Sequence, residues 1–231
     1  MGGLYYYGFD SLYLYLVVPA IIISLWTQIK VKTTISKYSA NRTDISGADA
    51  ARRVLELNGV HGVKIERVSG NLTDHYDPRT NTIRLSESVC DSYSISAVGV
   101  AAHEAGHAVQ YAKGYFPIKL RSVILPVCNL GSQLSLPLLI IGLIFNFYFL
   151  VKLGVILFCG AFIFQLITLP VEFNASSRAI ASLKNGLVLL TDNDIRYTKK
   201  VLSAAAMTYI AAALVSLAQL IRLIAITNKR R

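Results

Sequence analysis

Between Val123 and Pro170 the chain carries a single charged residue, Lys152. This stretch restricts the fold more than any other feature of the sequence. It is too long and too apolar to be one element of a soluble core, and as a single helix it would far exceed the bilayer. It reads as two membrane helices, about 130–150 and 154–170, joined by a tight turn at Lys152 and Gly154. An earlier apolar run, "LYLYLVVPAIIISLW" at Leu12–Trp26, reads as a retained transmembrane helix. No basic residue precedes Lys30, so it lacks the basic start of a signal peptide. Tyr5, Tyr6 and Tyr7 before it and Trp26 at its end resemble interfacial aromatic belts, and Pro19 is tolerable inside a bundle. A last alanine- and leucine-rich run covers about 203–226 and ends in a basic tail, Lys229, Arg230 and Arg231.

The sequence therefore divides into an N-terminal transmembrane helix (1–29), a polar α+β segment (30–122), a transmembrane hairpin (123–170), a polar helical segment (171–202), and a C-terminal helix with its tail (203–231). The fold class is a multi-pass α-helical membrane protein with about four transmembrane helices and a small α+β segment. Overall 54% of residues are hydrophobic and 16% charged, with a net charge of +10. That surplus flanks the apolar runs, which points to an anionic bilayer surface and not to nucleic acid. The hairpin returns the chain to the side it left, so both polar segments share one side. Lys30, Lys32, Lys37, Arg42, Lys113, Lys119, Arg121, Arg178, Lys184, Arg196, Lys199 and Lys200 lie there. The positive-inside rule assigns that side to the cytoplasm, although the basic tail opposes it. Arg222, inside the last run, is expected to pair within the bundle or reach the interface. Cys90, Cys128 and Cys159 suggest neither a disulfide framework nor a metal knuckle.

Within 30–122, "TDISGADAARRVLELNGV" reads as an amphipathic helix with Ser46 as N-cap and Gly59 as its stop. "HGVKIERVSG" alternates as a strand, Asp77 to Asn81 marks a turn, and Thr82 to Leu85 marks a second strand. "SYSISAVGVAAHEAGHAVQYAKG" reads as a helix of about eighteen residues, capped at Ser94 or Ser96 and stopped at Gly114.

That helix contains His103-Glu104-Ala105-Gly106-His107. Residues four apart project from one helix face. Both imidazoles can therefore bind one zinc ion, at about 2.0–2.1 Å. Glu104 is turned by about 100° and can reach the remaining coordination position, where a general base would take a proton from water. H-E-x-x-H arises by chance in roughly one chain in a hundred of this length. Here, however, it takes two of only four histidines and falls inside an expected helix. The surrounding Ala101, Ala102, Ala105, Gly106 and Ala108 are small, so backbone and substrate can come close.

A catalytic zinc needs a third protein ligand. The only acids downstream are Glu172, Asp192 and Asp194. Glu172 stands out, in "LPVEFNASSRA", where Pro170 suits the first turn of a helix and a carboxylate is favoured near its N-terminus. The alternative is a solvated charge at the membrane edge. Candidates for oxyanion stabilisation or substrate binding are His75 and Tyr76, ahead of the motif helix, and Arg178 beyond Glu172.

"LTDHYDPRTNTIRLSESV", "AVGVAAHEAGHAVQYAKGYFPIKLRS" and "LPVEFNASSRA" together resemble the YugP-type bacterial membrane zinc metallopeptidases, also called neutral zinc metallopeptidase family 2. The resemblance implies a gluzincin-like site with His103, His107 and Glu172 on Zn2+ and Glu104 as base. Related membrane gluzincins of the HtpX type have E-[FY]-x-A-D where this chain has Glu172-Phe173-Asn174-Ala175-Ser176. Ser176 replaces an acid, and Asn174 or Ser176 is then the candidate to hydrogen-bond a ligand histidine.

The expected function is a membrane-embedded zinc metalloendopeptidase of the bacterial cell membrane, facing the cytoplasm and acting on polypeptides, membrane or unfolded chains among them. Two other readings stay open: a site-2-type intramembrane protease and a non-catalytic zinc-binding membrane protein. Oligomeric state is not legible.

Overall fold

The computed structural model describes residues 11–186 and 190–228. Tyr5 to Tyr7 and the tail at 229–231 lie outside the described residues. A π-helical turn, Tyr13–Val17, leads into α1 (Val18–Ser39). Then follow α2 (Gly47–Leu57), β1 (Lys64–Val68), β2 (His75–Asp77), β3 (Thr82–Ser86), α3 (Glu87–Cys90) and α4 (Ile95–Ala112). Three long helices complete the chain: α5 (Phe116–Ile144), α6 (Tyr148–Gly186) and α7 (Asp192–Asn228). Among the described residues four helical spans are long and apolar enough to cross a membrane: Tyr13–Ser39, Phe116–Ile144, Tyr148–Asn185 and Asp192–Asn228.

The chain forms two compact units. The first comprises Met1–Gln28, Leu120–Leu169 and Thr208–Arg231. Small apolar clusters hold it, Leu139 with Val151 and Leu223, and Val17 with Ala20 and Ala218. Many other apolar side chains face outwards, among them Val123, Val127, Ile140, Phe149 and Ile156. In water such a surface would aggregate, whereas in lipid it is the appropriate coat. Arg222 lies 4.9 Å from the Tyr13 ring centre, a cation–π pair within the unit.

The hairpin of this unit turns at 145–147, not at Lys152 and Gly154 as the sequence suggested. Asn146 takes the left-handed conformation (φ 51°), and the Phe147 N–H closes onto the Gly142 carbonyl at 2.8 Å. Asn tolerates that conformation better than most residues. Gly154 instead sits inside α6, where an added Cβ would come within 2.9 Å of the Ser135 carbonyl oxygen. It is a close-packing position between the two hairpin helices. The Ser135 hydroxyl, fully buried, donates to the Gly154 carbonyl there at 2.9 Å.

The second unit comprises Ile29–Lys119 and Pro170–Met207. Helix α4 is its centre. Val98, Ala101, Ala102, Ala105, Ala108 and Val109 are buried against Val54 and Leu55 of α2, Ile83 and Leu85 of β3, and Ala179 and Leu183 of α6. Both expected caps form: Ser46 accepts from the Asp49 N–H at 3.1 Å, and Ser94 from the Ala97 N–H at 3.3 Å. The sheet has order β1-β3-β2, with β1 parallel and β2 antiparallel to β3. β2 is a third strand, three residues long and too short for alternation to betray it. Arg84 of β3 ties it down with an ion pair to Asp77 at 2.9 Å.

Helix α6 corrects the other expectation near Glu172. Pro170 does not begin a helix there. It lies inside one helix running from Tyr148 to Gly186. Proline removes one backbone hydrogen bond, and long membrane helices absorb that loss, as α5 does at Pro126 and Pro137. Glu172 is therefore a mid-helix residue, and no helix N-terminus favours its charge.

Candidate metal centre

Helix spacing brings His103 and His107 to one face of α4, with ring centres 4.7 Å apart. Glu172 of α6 points between them. Its Oε2 lies 3.2 Å from Nε2 of His103 and 3.6 Å from Nε2 of His107. One donor atom from each residue lies within 4.8 Å of the others. Glu172 is only 2% exposed, and His107 8%. A buried carboxylate is costly unless paired, and two imidazole nitrogens lie against it.

The approach of α6 to α4 depends on Gly106. A Cβ at this position would lie 2.5 Å from the Ala175 carbonyl oxygen. With hydrogen alone, the α6 backbone settles onto α4 and Glu172 reaches the histidines. The small residues of "AAHEAGHA" thus serve helix contact directly.

The far nitrogens of both rings are engaged. His103 Nδ1 lies 3.1 Å from the Ser176 hydroxyl. His107 Nδ1 lies 3.1 Å from Oε1 of Gln110. Gln110 is fully buried, and its amide Nε2 donates to the Val171 carbonyl at 2.8 Å and to Asn174 Oδ1 at 3.0 Å. Two acceptors around Nε2 fix the amide orientation, so the oxygen faces His107 and Nδ1 must carry the proton. In the neutral ring Nε2 of His107 is then left open to a metal ion, and in the charged ring it carries a second proton towards Glu172. Asn174 also accepts from Arg178 Nε at 2.7 Å, and the Arg178 guanidinium lies 5.9 Å from the Tyr115 ring centre. Burial works against a charged His107, but hydrogen bonding to Glu172 and the charges of Glu104 and Glu172 outweigh it and raise its pKa.

Glu104 is buried, and its Oε2 accepts the backbone N–H of Tyr76 at 3.0 Å. That amide lies on the edge strand β2. The Tyr76 hydroxyl donates to Asn81 Oδ1 at 2.8 Å, and its ring packs 5.5 Å from Tyr111. His75 is exposed and bonds the Thr73 carbonyl through Nδ1 at 2.8 Å.

His103, His107 and Glu172 thus come together, with Glu104 beside them. Ser176 meets a histidine directly, and Asn174 reaches one through Gln110. Among His75, Tyr76 and Arg178, only Tyr76 touches the cluster, through its backbone and not its ring. Gln110 and the Tyr76 amide were not anticipated. The i, i+3 spacing of His107 and Gln110 was the available signal for the first. A backbone amide left no mark on the sequence.

Two imidazole nitrogens and one carboxylate oxygen, each histidine oriented from behind, form a donor set suited to zinc. Residues 13–228 match the model of a family described as "Putative neutral zinc metallopeptidase". The chain is 47% identical over 218 residues to the "Putative membrane protease YugP" of Bacillus subtilis (strain 168), an alignment covering 93% of this chain and 96% of that protein. No solved structure matches it. The match spans the apolar helices and the histidine–glutamate cluster alike, and on that extent the chain belongs to the neutral zinc metallopeptidase family.

Proposed function

We propose that the chain is a multi-pass membrane zinc metalloendopeptidase whose catalytic segment faces the cytoplasm. The observation that carries this reading is the convergence of His103, His107 and Glu172 donor atoms within 4.8 Å beside a buried Glu104. His103, His107 and Glu172 would hold the zinc. When bound, zinc supplies Lewis acidity, which lowers the pKa of a water and polarises a peptide carbonyl.

The chain's own groups do the rest. Glu104 takes the proton of the attacking water on its carboxylate as the water oxygen bonds to the carbonyl carbon. It then delivers that proton to the amide nitrogen as the C–N bond breaks. The Tyr76 N–H holds Oε2, leaving Oε1 as the proton acceptor. Gln110 and Ser176 hold the ligand rings in one orientation. Extended substrate would lie near the edge strand β2, where His75 is exposed to meet it. We assign Arg178 to keeping Asn174 and Gln110 in register.

Helix α4 is not one of the four candidate spans, which favours this reading over a site-2-type intramembrane protease. A purely structural zinc site would close its fourth position with a protein ligand. The test uses purified full-length protein. Zinc content near one per chain, with cleavage of casein that chelator abolishes and zinc restores, is the expected result. Glu104→Gln should keep its zinc and lose cleavage. Cleavage by that variant at the wild-type rate would refute the role of Glu104.

A further inference from the structure

Away from the metal centre, the second unit holds a cavity of about 480 Å³ between the end of α1 and the start of α7. That is the size of a small-ligand site. Its charged lining is Lys30 and Lys37 from α1, with Arg196, Lys199 and Lys200 from α7, and no acidic side chain joins them. Tyr38 also lines it. Tyr38 and Tyr197 stack at 5.0 Å between ring centres. Lys37 stands 5.6 Å from the Tyr38 ring centre, and Arg196 and Lys200 each stand 5.7 Å from that of Tyr197. Five cations lining one cavity make it attractive to an anion.

The position along the chain indicates which anion. In α1, Leu25, Trp26 and Ile29 are exposed apolar residues immediately before Lys30. Lys30 is one helical turn beyond Trp26, about 6 Å along the axis. In α7, Lys199 and Lys200 directly precede the apolar run that exposes Ile210, Leu214 and Leu217. Both walls of the cavity are thus the points where apolar helices give way to basic residues. Such points lie at headgroup depth, and basic pockets between helices there suit anionic headgroups. Thr34 and Ser203 add hydroxyls to the lining, and Ala204 and Met207 an apolar end.

We infer that this cavity binds the phosphodiester headgroup of an anionic phospholipid. Its phosphate would lie among the five cations, with its glycerol end against Ala204 and Met207. Neither the metal ligands nor Glu104 take part, so the proposal stands independently of the peptidase reading.

The experiment is lipid retention by the purified full-length protein, measured by native mass spectrometry after exposure to phosphatidylglycerol or phosphatidylcholine. Wild type should retain phosphatidylglycerol in preference. Lys199→Gln with Lys200→Gln, and separately Lys30→Gln with Lys37→Gln, should each cut retention about tenfold or more, since each basic group near such a surface contributes about fivefold. Both should keep their zinc content. Arg52→Gln with Arg53→Gln, on exposed α2, should leave retention unchanged. Equal retention of phosphatidylcholine, wild-type retention by both cavity variants, or an equal loss in the α2 control would overturn the proposal. Inorganic phosphate displacing the lipid at equal concentration would assign the cavity to free phosphate and overturn the lipid reading.

Discussion

Gln110 faces His107 with its carbonyl oxygen, 3.1 Å from Nδ1, while its amide nitrogen bonds α6 at Val171 and Asn174. One buried side chain thereby sets the tautomer of His107 and ties α4 to α6, the two helices that carry the histidine–glutamate cluster. Gln110→Leu removes all three contacts and leaves His107 Nδ1 without its acceptor. Losing such an outer contact typically weakens metal binding about 10- to 100-fold. The expected result is a zinc Kd raised by that factor in chelator competition. Gln110→Glu keeps an acceptor for His107 but loses the donors to α6, and should fall between the two. A Kd unchanged in Gln110→Leu would remove Gln110 from the site.

Gly106 sets two effects against each other. Alanine is favoured over glycine in a helix by about 1 kcal/mol. Against that, the new Cβ would lie 2.5 Å from the Ala175 carbonyl, a backbone atom that cannot swing aside. Overpacking of this kind costs about 1–3 kcal/mol. The clash should win. Gly106→Ala is expected to lower the thermal midpoint and also weaken zinc binding, because Ala175 stands between Asn174 and Ser176, both in the network behind the histidines. A more stable Gly106→Ala protein would show that α6 can retreat freely.

The Tyr76 N–H on Glu104 predicts a role for backbone alone. Tyr76→Phe keeps the amide and should keep cleavage near wild type. Tyr76→Pro removes the donor at an edge-strand position, where proline is tolerated. A hydrogen bond to a charged group is worth about 1.5–3 kcal/mol. A fall in kcat of about tenfold or more is therefore expected, with zinc content unchanged. If Tyr76→Phe loses as much as Tyr76→Pro, the phenol and not the amide is what matters.

The parts of the molecule that were legible are those written in local spacing. His103 and His107 stand four apart, Ser46 and Ser94 precede apolar periodicity, and long uncharged runs mark the spans. The missed features depend on distant partners. Gly154 reads as a turn until Ser135 and Leu139 are seen against it, and Asn146 is inconspicuous among aromatics. Pro170 reads as a helix start because local rules weigh a lost hydrogen bond but not the surroundings that offset it. The scarcity of acids after His107 singles out Glu172 in the sequence, and its carboxylate does lie beside the histidines, although the argument from a helix N-terminus does not hold. β2 is held by Arg84 and by Glu104, neither of which lies within it.

Asp77 predicts an acid limb to stability. Hydrogen bonds from Arg84, the Arg79 N–H and Thr80 hold its carboxyl well below the usual carboxylate range. In the unfolded chain it would titrate at about 3.9. A group depressed in the folded state stabilises fully above its unfolded value and loses that contribution as pH falls through the folded one. Asp77→Asn should therefore be less stable than wild type at neutral pH. The difference should begin to close below about pH 5 and vanish in strong acid. Thermal midpoints of both proteins across that range, in the same detergent, measure it. A difference that stays constant down to strong acid would mean that the ion pair with Arg84 adds nothing and that only the turn geometry at Asp77 matters.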